Sequence, residues 1–245
     1  MIVRCGLLKK NDNLTDEQFA EHWLNVHGPI VADMKNVRAY KQNVVIDREH
    51  RHPIGGGSVD IDGFSEMHFD DFTAMLDGVS SMDQETGNAM LEDAEKLLSK
   101  RLCDIVVFDR RVVREVPEYL RNRDDMIHRV AFIRRSENVS AAEFQREWCY
   151  AHAKLVEACP GHAGYAQNLV MARYVDGKPA TYDELPVDAM VEFYFENWDA
   201  FNCFYASEEF KRLSAHGAGF IGSIDTYLVR SHTVVEHPSD GGYWL

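Results

Sequence analysis

The sequence predicts an α+β protein made of two ferredoxin-like βαββαβ repeats that together form an α+β barrel. The first observation is a repeat: FAEHWLNVHGP at residues 19–29 is followed by FQREWCYAHAK at residues 144–154, at a constant offset of 125 residues. The second is that strand-like segments recur in the same order in both halves. The third is geometric, because a ferredoxin-like sheet carries helices on one face only and its other face needs a cover. Two such sheets in one chain can cover each other.

The repeated segment predicts the first helix of each half. In each copy Phe, Trp and His lie four residues apart, which places them on one face of a helix. Thr15 with Gln18, and Ser140 with Glu143, form the capping-box pattern S/T-x-x-E/Q directly before these faces. The Gly-Pro pair at 28–29 is expected to end or kink the first helix, because proline lacks an amide donor.

The rest of the first repeat, residues 1–114, follows from apolar runs bounded by polar turns. Strands are predicted at residues 2–8, 37–45, 63–70 and 104–108. A helical region is predicted over residues 71–100, with a break near Gly78 or Gly87.

A charged segment with Pro117 predicts a linker over residues 115–126. The second repeat, residues 127–245, then presents strands at 129–134, 162–170, 189–198 and 227–230. Residues 231–245 have no counterpart in the first repeat.

Composition limits the partners. The net charge of −14 disfavours nucleic acid and anionic membrane surfaces, and no apolar run approaches 18 residues. The amino terminus lacks the apolar stretch of a secretory signal, and the five cysteines contain no CxxC pair. These features predict a cytoplasmic protein with reduced thiols.

His27 and His152 are the leading candidates for catalysis, because each ends the apolar stripe of its helix. An imidazole titrates near neutrality and can serve as a general acid or base. The alternative is a core histidine that ties the helix to the sheet. Their recurrence does not separate the two, since duplication copies scaffold and site alike.

Glu66 and Glu192 are the second catalytic candidates. Alternation along the third strand of each repeat places Glu66 with His68, and Glu192 with Tyr194, on one face of the sheet. Such a carboxylate indicates either a polar cavity or an exposed edge position. If the third strands lie next to His27 and His152, we expect these glutamates to accept hydrogen bonds from the imidazoles and to orient them.

Further side chains are expected to bind a substrate. The Tyr-x-Gln pairs of both repeats can donate to a carbonyl or carboxylate, and the arginines of the first strands can bind an anion or pair with the glutamates. A histidine near the second glycine-rich turn either faces the cavity or caps a helix. His68 and Tyr194, beside the glutamates, complete the set of expected substrate-binding residues, which are Tyr40, Gln42, His68, Tyr165, Gln167, Tyr194, Arg4, Arg129 and His216.

The sequence predicts neither a metal site nor a cofactor. His50 and His52 form an HxH pair, but the spacing provides no third ligand. Phosphate-binding and dinucleotide-binding glycine motifs and the GxSxG motif are missing from the sequence.

The pattern F-x-x-x-W-x-x-x-H-x-P, followed by Y-x-Q-N and D-G-F-x-E-x-x-F, resembles the EthD-domain family of the dimeric α+β barrel superfamily. The first repeat carries the whole pattern. The second repeat keeps its aromatic, histidine and glutamate positions but has Lys154 in place of the proline. The resemblance therefore implies a divergent tandem copy, in which either both cavities or only the first, that of His27, is active.

The resemblance implies chemistry without a shared cofactor. EthD-like proteins include a methylmuconolactone methyl-isomerase and polyketide decarboxylases or dehydratases, and the superfamily adds quinone-forming monooxygenases. We expect a lyase or isomerase that moves protons through His27 or His152 on a small carbonyl-, lactone- or carboxylate-bearing compound. The alternatives are a cofactor-free oxygenase acting on an electron-rich phenol, and a non-catalytic small-molecule-binding protein. A homodimer is also possible, in which each repeat pairs with a repeat of a second chain.

Overall fold

The structure is a computed structural model that describes residues 1–121, 123 and 125–237. Repeat 1 contains β1 (Ile2–Leu8), α1 (Asp16–His22), a π-helical segment (Trp23–His27), α2 (Gly28–Val31), β2 (Ala39–Asp47), β3 (Gly63–Phe69), α3 (Phe72–Ser80), α4 (Gln84–Leu97) and β4 (Asp104–Arg114). Repeat 2 contains β5 (Ile127–Arg135), α5 (Ala141–Arg146), a second π-helical segment (Glu147–His152), α6 (Ala153–Ala158), β6 (His162–Val175), β7 (Lys178–Pro179), β8 (Ala189–Phe195), α7 (Trp198–Ala206), α8 (Glu208–Gly217) and β9 (Ile221–Glu236).

Eight strands of the described chain close into an antiparallel barrel. Their order is β4-β1-β3-β2-β9-β5-β8-β6, and β6 returns to pair with β4. Each repeat supplies four consecutive strands in the ferredoxin-like order, and the helices cover the outside. Closure within one chain pairs the strand edges that an isolated half-sheet would expose. The predicted α+β barrel of two ferredoxin-like repeats is confirmed.

The two first helices begin as predicted. Thr15 Oγ1 accepts a hydrogen bond from the Gln18 amide at 3.2 Å, and the Gln18 side chain accepts from the Thr15 amide at 2.9 Å. The helical segment of repeat 1 does not end at Pro29. A π-helical turn precedes this residue, and Pro29 lies in the first turn of α2, where proline is tolerated.

Several predicted boundaries are wrong, because β4, β6 and β9 extend well beyond the predicted strands. The break in the helical region of repeat 1 does lie near Gly78, between Ser80 and Gln84, where Asp83 caps α4 by accepting from the Thr86 amide at 2.7 Å. The last strand is much longer than predicted, since β9 runs from Ile221 to Glu236 and pairs first with β5 and then, over residues 228–236, with β2. Residues 231–236 of the supposed tail are therefore strand, and residues 238–245 lie outside the described part.

The barrel interior joins the two repeats. One end is filled by apolar side chains from both halves, where the Phe64 and Phe132 rings pack edge to face with their centroids 5.7 Å apart. The outer faces of the two half-sheets pack separately against their own helices. None of the helices in the described part of the chain combines the length and apolar character needed to span a bilayer.

The other end of the interior is charged. Arg110 of β4 forms a buried ion pair with Glu192 of β8, and Glu192 also accepts from Asn168 Nδ2 and from the Tyr194 hydroxyl, each at 2.8 Å. Burial opposes ionisation of Glu192, but Arg110 and the nearby His128 together hold its pKa well below the usual value. This pair connects repeat 1 to repeat 2 inside the barrel.

We expect Arg110→Met to lower the free energy of unfolding by about 3–5 kcal/mol, because it leaves the Glu192 carboxylate buried and unpaired. The double variant Arg110→Met/Glu192→Gln should recover most of that loss, since no buried charge remains. Urea unfolding of the wild type and the variants at pH 7 measures both. Equal stability of the single and double variants would show that the ion pair is not the cause.

Candidate active site

A cavity of about 40 Å³ lies between the outer face of the repeat 2 sheet and its helices. Most of its wall is apolar and aromatic, including Trp148 and Phe193. The polar side chains that line it are His52, Arg129, His152, Tyr165, Tyr205 and Ser214. The structure thus brings together three of the sequence-predicted residues, His152, Tyr165 and Arg129, in one enclosed space.

The π-helical turns hold the first helices of both repeats in the same way. Trp148 O accepts a hydrogen bond from Gln167 Nε2 at 2.8 Å, and Trp23 O accepts from Gln42 Nε2 at the same distance. A π turn alters the helical hydrogen-bond ladder, and π turns of this kind are frequent at functional sites. Gln42 and Gln167 therefore fix the helices that carry the histidines, each through a side-chain Nε2 that donates to the π-helical turn.

His152 is the first of three side chains connected in series. His152 Nδ1 lies 3.2 Å from His216 Nδ1, and His216 Nε2 lies 3.6 Å from Glu147 Oε2. The carboxylate favours the proton on His216 Nε2, which leaves His216 Nδ1 as the acceptor. His152 Nδ1–H then donates to it, and His152 Nε2 keeps a lone pair on a ring that lines the cavity.

His152 is a neutral imidazole. Burial lowers its pKa to about 3, and the adjacent His216 acts in the same direction. Burial also raises the pKa of Tyr165, so that its hydroxyl remains protonated. The site therefore combines a neutral base with a neutral phenol donor.

Arg129 introduces a charge into this apolar site. Its side chain is 95% buried, its Nη2 has no hydrogen-bond partner, and no ion pair within the described residues includes it. The guanidinium carbon lies 5.6 Å from the centre of the Phe193 ring and 5.9 Å from that of Tyr205. The Tyr165 hydroxyl is also buried without a partner. Unpaired buried donors are costly, so the cavity is suited to an oxygen atom that carries negative charge.

Repeat 1 arranges the equivalent positions differently. His27 Nδ1 donates to Asp93 Oδ2 at 3.0 Å and His22 Nε2 donates to Asp93 Oδ1 at 2.8 Å, so that a buried carboxylate takes the place that His216 has in repeat 2. Burial lowers the pKa of His27 and Asp93 opposes this shift. Tyr40 accepts a hydrogen bond from Gln42 at 3.0 Å, whereas Tyr165 has none.

Glu66 and Glu192 do not lie beside the histidines. Their strands direct them into the barrel, whereas His27 and His152 pack on the outer face. Glu66 Oε2 lies 3.5 Å from His68 Nε2, and Glu192 pairs with Arg110. The expectation that the glutamates orient the imidazoles is therefore wrong, because successive residues of a strand face opposite sides of the sheet.

The same alternation separates the arginines from the glutamates. Arg4 and Arg129 lie on the outer faces of β1 and β5, with Arg4 near Cys103 and Tyr174. Tyr194 remains with Glu192 inside the barrel, and its ring stacks on that of His128 with the centroids 4.3 Å apart. The sequence-predicted residues thus divide between the outer-face cavity, its counterpart in repeat 1 and the barrel interior.

Sequence reasoning missed several residues. Arg110 and Asp93 lie in segments without a recognisable copy in the other repeat, and Tyr205 lies in a helix that the pattern did not resolve. His52 carries a signal in the HxH pair, but its contact with repeat 2 depends on how a loop folds across the barrel. Within the described ranges, no three His, Cys, Asp or Glu side chains are arranged to bind a metal ion.

A second cavity of about 310 Å³ lies between the repeats at the apolar end of the barrel. Its charged side chains all have partners, since Lys9 donates to Asp60 at 2.8 Å, Lys100 donates to Asp104 at 3.1 Å, and Glu184 accepts from the Thr181 hydroxyl at 2.8 Å. These groups already have hydrogen-bond partners, whereas the repeat 2 cavity contains buried donors that a ligand would satisfy.

An eight-stranded barrel assembled from two ferredoxin-like halves places the protein in the dimeric α+β barrel class, here with both halves in one chain. The sequence matches the EthD domain over residues 11–101 and again over residues 136–224. The chain therefore belongs to the EthD domain family and contains two tandem copies of the domain.

Three solved structures share the whole fold. A candidate monooxygenase from Fusobacterium nucleatum has a TM-score of 0.58 at 10% identity, covering 99% of this chain and 94% of its own. A candidate monooxygenase from Lactobacillus acidophilus has a TM-score of 0.55 at 11% identity and 96% coverage of both chains. An anthrone oxidase-like protein has a TM-score of 0.59 at 8% identity, covering 98% and 96%. No curated protein matches the chain in sequence.

The low pKa of His152 predicts an acid-sensitive fold. The native state excludes a proton that the unfolded state binds below about pH 6.5, so the stability supplied by the neutral ring is complete above that pH and is lost as the pH falls toward 3. His152→Gln removes this titration. Between pH 7 and pH 5 the variant should lose about 2 kcal/mol less unfolding free energy than the wild type. Urea unfolding at each pH measures the difference, and parallel pH profiles would contradict it.

Proposed function

We propose that the protein is an oxygenase that acts on a small, electron-rich phenol or enol in the repeat 2 cavity, with His152 as the general base. The observation that carries the proposal is the pairing of a neutral imidazole with unpaired buried donors. His152 Nε2 can take a proton, and Arg129 and Tyr165 can receive the oxyanion that results.

The low pKa of His152 is set by the protein groups around its ring. There an imidazolium would lie in an apolar wall near His216, without an opposite charge. A phenolate about 4 Å away attracts an imidazolium by about 4 kcal/mol at an effective dielectric constant near 20, which equals about three pKa units. The bound phenolate therefore raises the pKa of His152 toward neutrality, where an imidazole is an effective general base.

The His216–Glu147 series assists the same step. When His152 Nε2 is protonated, its Nδ1–H already donates to His216, and the Glu147 carboxylate lies behind His216. These partners fix the tautomer of His152 and the orientation of its ring. His216 and Glu147 therefore position the base without contact with the substrate.

The oxidation balances without an outside reductant. Loss of the hydroxyl proton gives a phenolate with high electron density on the ring carbon opposite the oxygen, and that carbon forms a bond with dioxygen. The hydroperoxide takes up a proton, breaks its O–O bond and loses water together with the hydrogen of that carbon. One phenol and one dioxygen yield one quinone and one water, so the ring supplies all four electrons.

The comparisons support this reaction class over the lyase or isomerase expected from the sequence. Proteins of similar fold include candidate monooxygenases and an anthrone oxidase-like protein. The aromatic wall of the cavity suits a planar ring, and its enclosure keeps water from the anion. His152 and the donors could also serve a proton shift without oxygen, and the two reactions differ in whether oxygen is consumed.

We expect His152→Gln to lower oxygen consumption with electron-rich phenols by about 10²-fold or more, with the fold retained, because the general base is lost. His27→Gln is the matched control at the equivalent position of repeat 1, and it should change the rate by less than a few-fold. This ranking reverses the one that the family pattern alone favours. An oxygen electrode measures the rates, and circular dichroism verifies the fold of both variants.

A larger loss in His27→Gln than in His152→Gln would contradict the assignment to repeat 2. Product formation from a phenol or lactone under nitrogen, at the same rate as in air, would establish a lyase or isomerase instead. Binding without any turnover in the wild type would indicate the small-molecule-binding alternative.

A further inference from the structure

The loop between β2 and β3, residues 48–62, belongs to repeat 1 but lies against repeat 2. Asp225 of β9 accepts hydrogen bonds from the amides of Gly57 at 2.7 Å and Val59 at 3.0 Å. The Ile224 amide donates to Gly55 O at 3.0 Å. Most of the loop is exposed, while His52 and Ile54 turn inward and line the cavity of repeat 2. The wall of that cavity is therefore built partly by the other repeat.

The loop fixes the tautomer of His52. The Ile54 amide donates to His52 Nδ1 at 3.1 Å, so this nitrogen is an acceptor and the proton of the neutral ring is on Nε2. Phe210 packs edge to face with the ring at a centroid distance of 5.8 Å. Burial lowers the pKa of His52 to about 3, and the positive charge of Arg129 acts in the same direction. His52 thus presents a neutral N–H group at the cavity.

We propose that His52 is a catalytic residue of the repeat 2 site, where its Nε2–H donates a hydrogen bond to the oxyanion of the substrate. The inference rests on the proposed function in one respect, namely that the substrate binds as a phenolate or enolate in this cavity. It goes further because it adds a residue of repeat 1 to a site whose other catalytic residues belong to repeat 2. With Arg129 and Tyr165, His52 gives the oxyanion donors from three separate segments of the chain.

The cavity is too small for a phenol, so part of its wall must move when the substrate binds, and we infer that this part is the loop. A benzene-sized ring needs a cavity of about 150 Å³, so a phenol must displace part of the wall. The other lining segments are helices and strands, whereas the loop is irregular and contains Gly55–Gly56–Gly57. A Cβ atom at Gly57 would lie 2.6 Å from Asp225 Oδ2, so a larger residue there would force the loop away from β9. The element that opens for the substrate is therefore the one that carries His52.

The test uses 4-nitrophenol, whose ionisation is visible as a yellow phenolate and which is too electron-poor to be oxidised readily. We expect the wild type to lower the apparent pKa of bound 4-nitrophenol, and His52→Ala to raise it again by about one pH unit or more, because a hydrogen bond to the charged oxygen is lost. His52→Gln retains an N–H donor and should restore part of the shift. In turnover, His52→Ala should lower kcat by about 10²-fold while KM changes much less.

His50→Ala is the matched control. His50 holds the same loop, since its Nε2 donates to Ile54 O at 2.7 Å, but it does not line the cavity. An unchanged bound pKa in His50→Ala together with the loss in His52→Ala supports a donor role. Equal losses in both variants would overturn it, because the effect would then come from the loop as a whole.

An unshifted 4-nitrophenol pKa with the wild-type protein, or the same shift in the wild type and His52→Ala, also overturns the proposal. These outcomes are separate from the failure of the oxygenase assignment, which is decided by oxygen consumption and by His152→Gln. If the protein lowers the pKa of bound 4-nitrophenol through His52 but consumes no oxygen, the donor role of His52 is supported and the oxygenase assignment is rejected.

Discussion

Closure of the barrel is the constraint on which the other features depend. A four-stranded ferredoxin-like sheet has one bare face and two unpaired edges, and neither is stable in water. Pairing of β2 with β9 and of β4 with β6 removes the edges, and burial of both inner faces in one interior covers the bare surfaces. The outer faces are then left to the helices, and only there can a helix-borne histidine meet a strand-borne tyrosine or arginine.

Having both halves in one chain allows the two copies to differ. In a symmetric dimer a substitution appears twice, whereas here each position is free to change alone. Inside the barrel, Arg110 pairs across the sheet with Asn168, and Ser231 pairs with Asn43 at the equivalent place. Glu192 therefore meets a guanidinium, while Glu66 retains an oxygen without a hydrogen-bond partner. An oxygen of this kind in a polar interior is suited to ordered water.

On the outer faces the two repeats differ in the partner of the histidine and in the packing of the first helix against the sheet. In repeat 1, Asp93 binds both His22 and His27, which ties the first helix to α4. In repeat 2, His216 stands in place of the carboxylate, so that His152 has an imidazole as its partner. A Cβ at Gly63 would lie 2.7 Å from the Trp23 ring, whereas Ala189, its counterpart, already has a Cβ beside the repeat 2 helices. Trp23 therefore packs more closely on its sheet than a side chain at Gly63 would allow.

The sequence by itself determined the duplication, the order of strands and helices, and the residues that face each other within one element. These properties depend on local periodicity and on a comparison of the chain with itself, and both can be read from the residues. His152, Tyr165 and Arg129 were found in this way because each has a counterpart at a fixed offset. The alternation of β3 also placed Glu66 with His68 correctly.

Only the tertiary structure decided which face of each strand meets the helices and which segments meet from distant parts of the chain. Alternation shows that Glu66 and Met67 point to opposite sides, but it does not show which side is the interior. The joining of His52 to the repeat 2 cavity depends on a loop that crosses the barrel seam, and the length of β9 depends on its pairing with β2. Such contacts follow from barrel closure, which is a property of the whole chain and leaves no local periodic signal in the sequence.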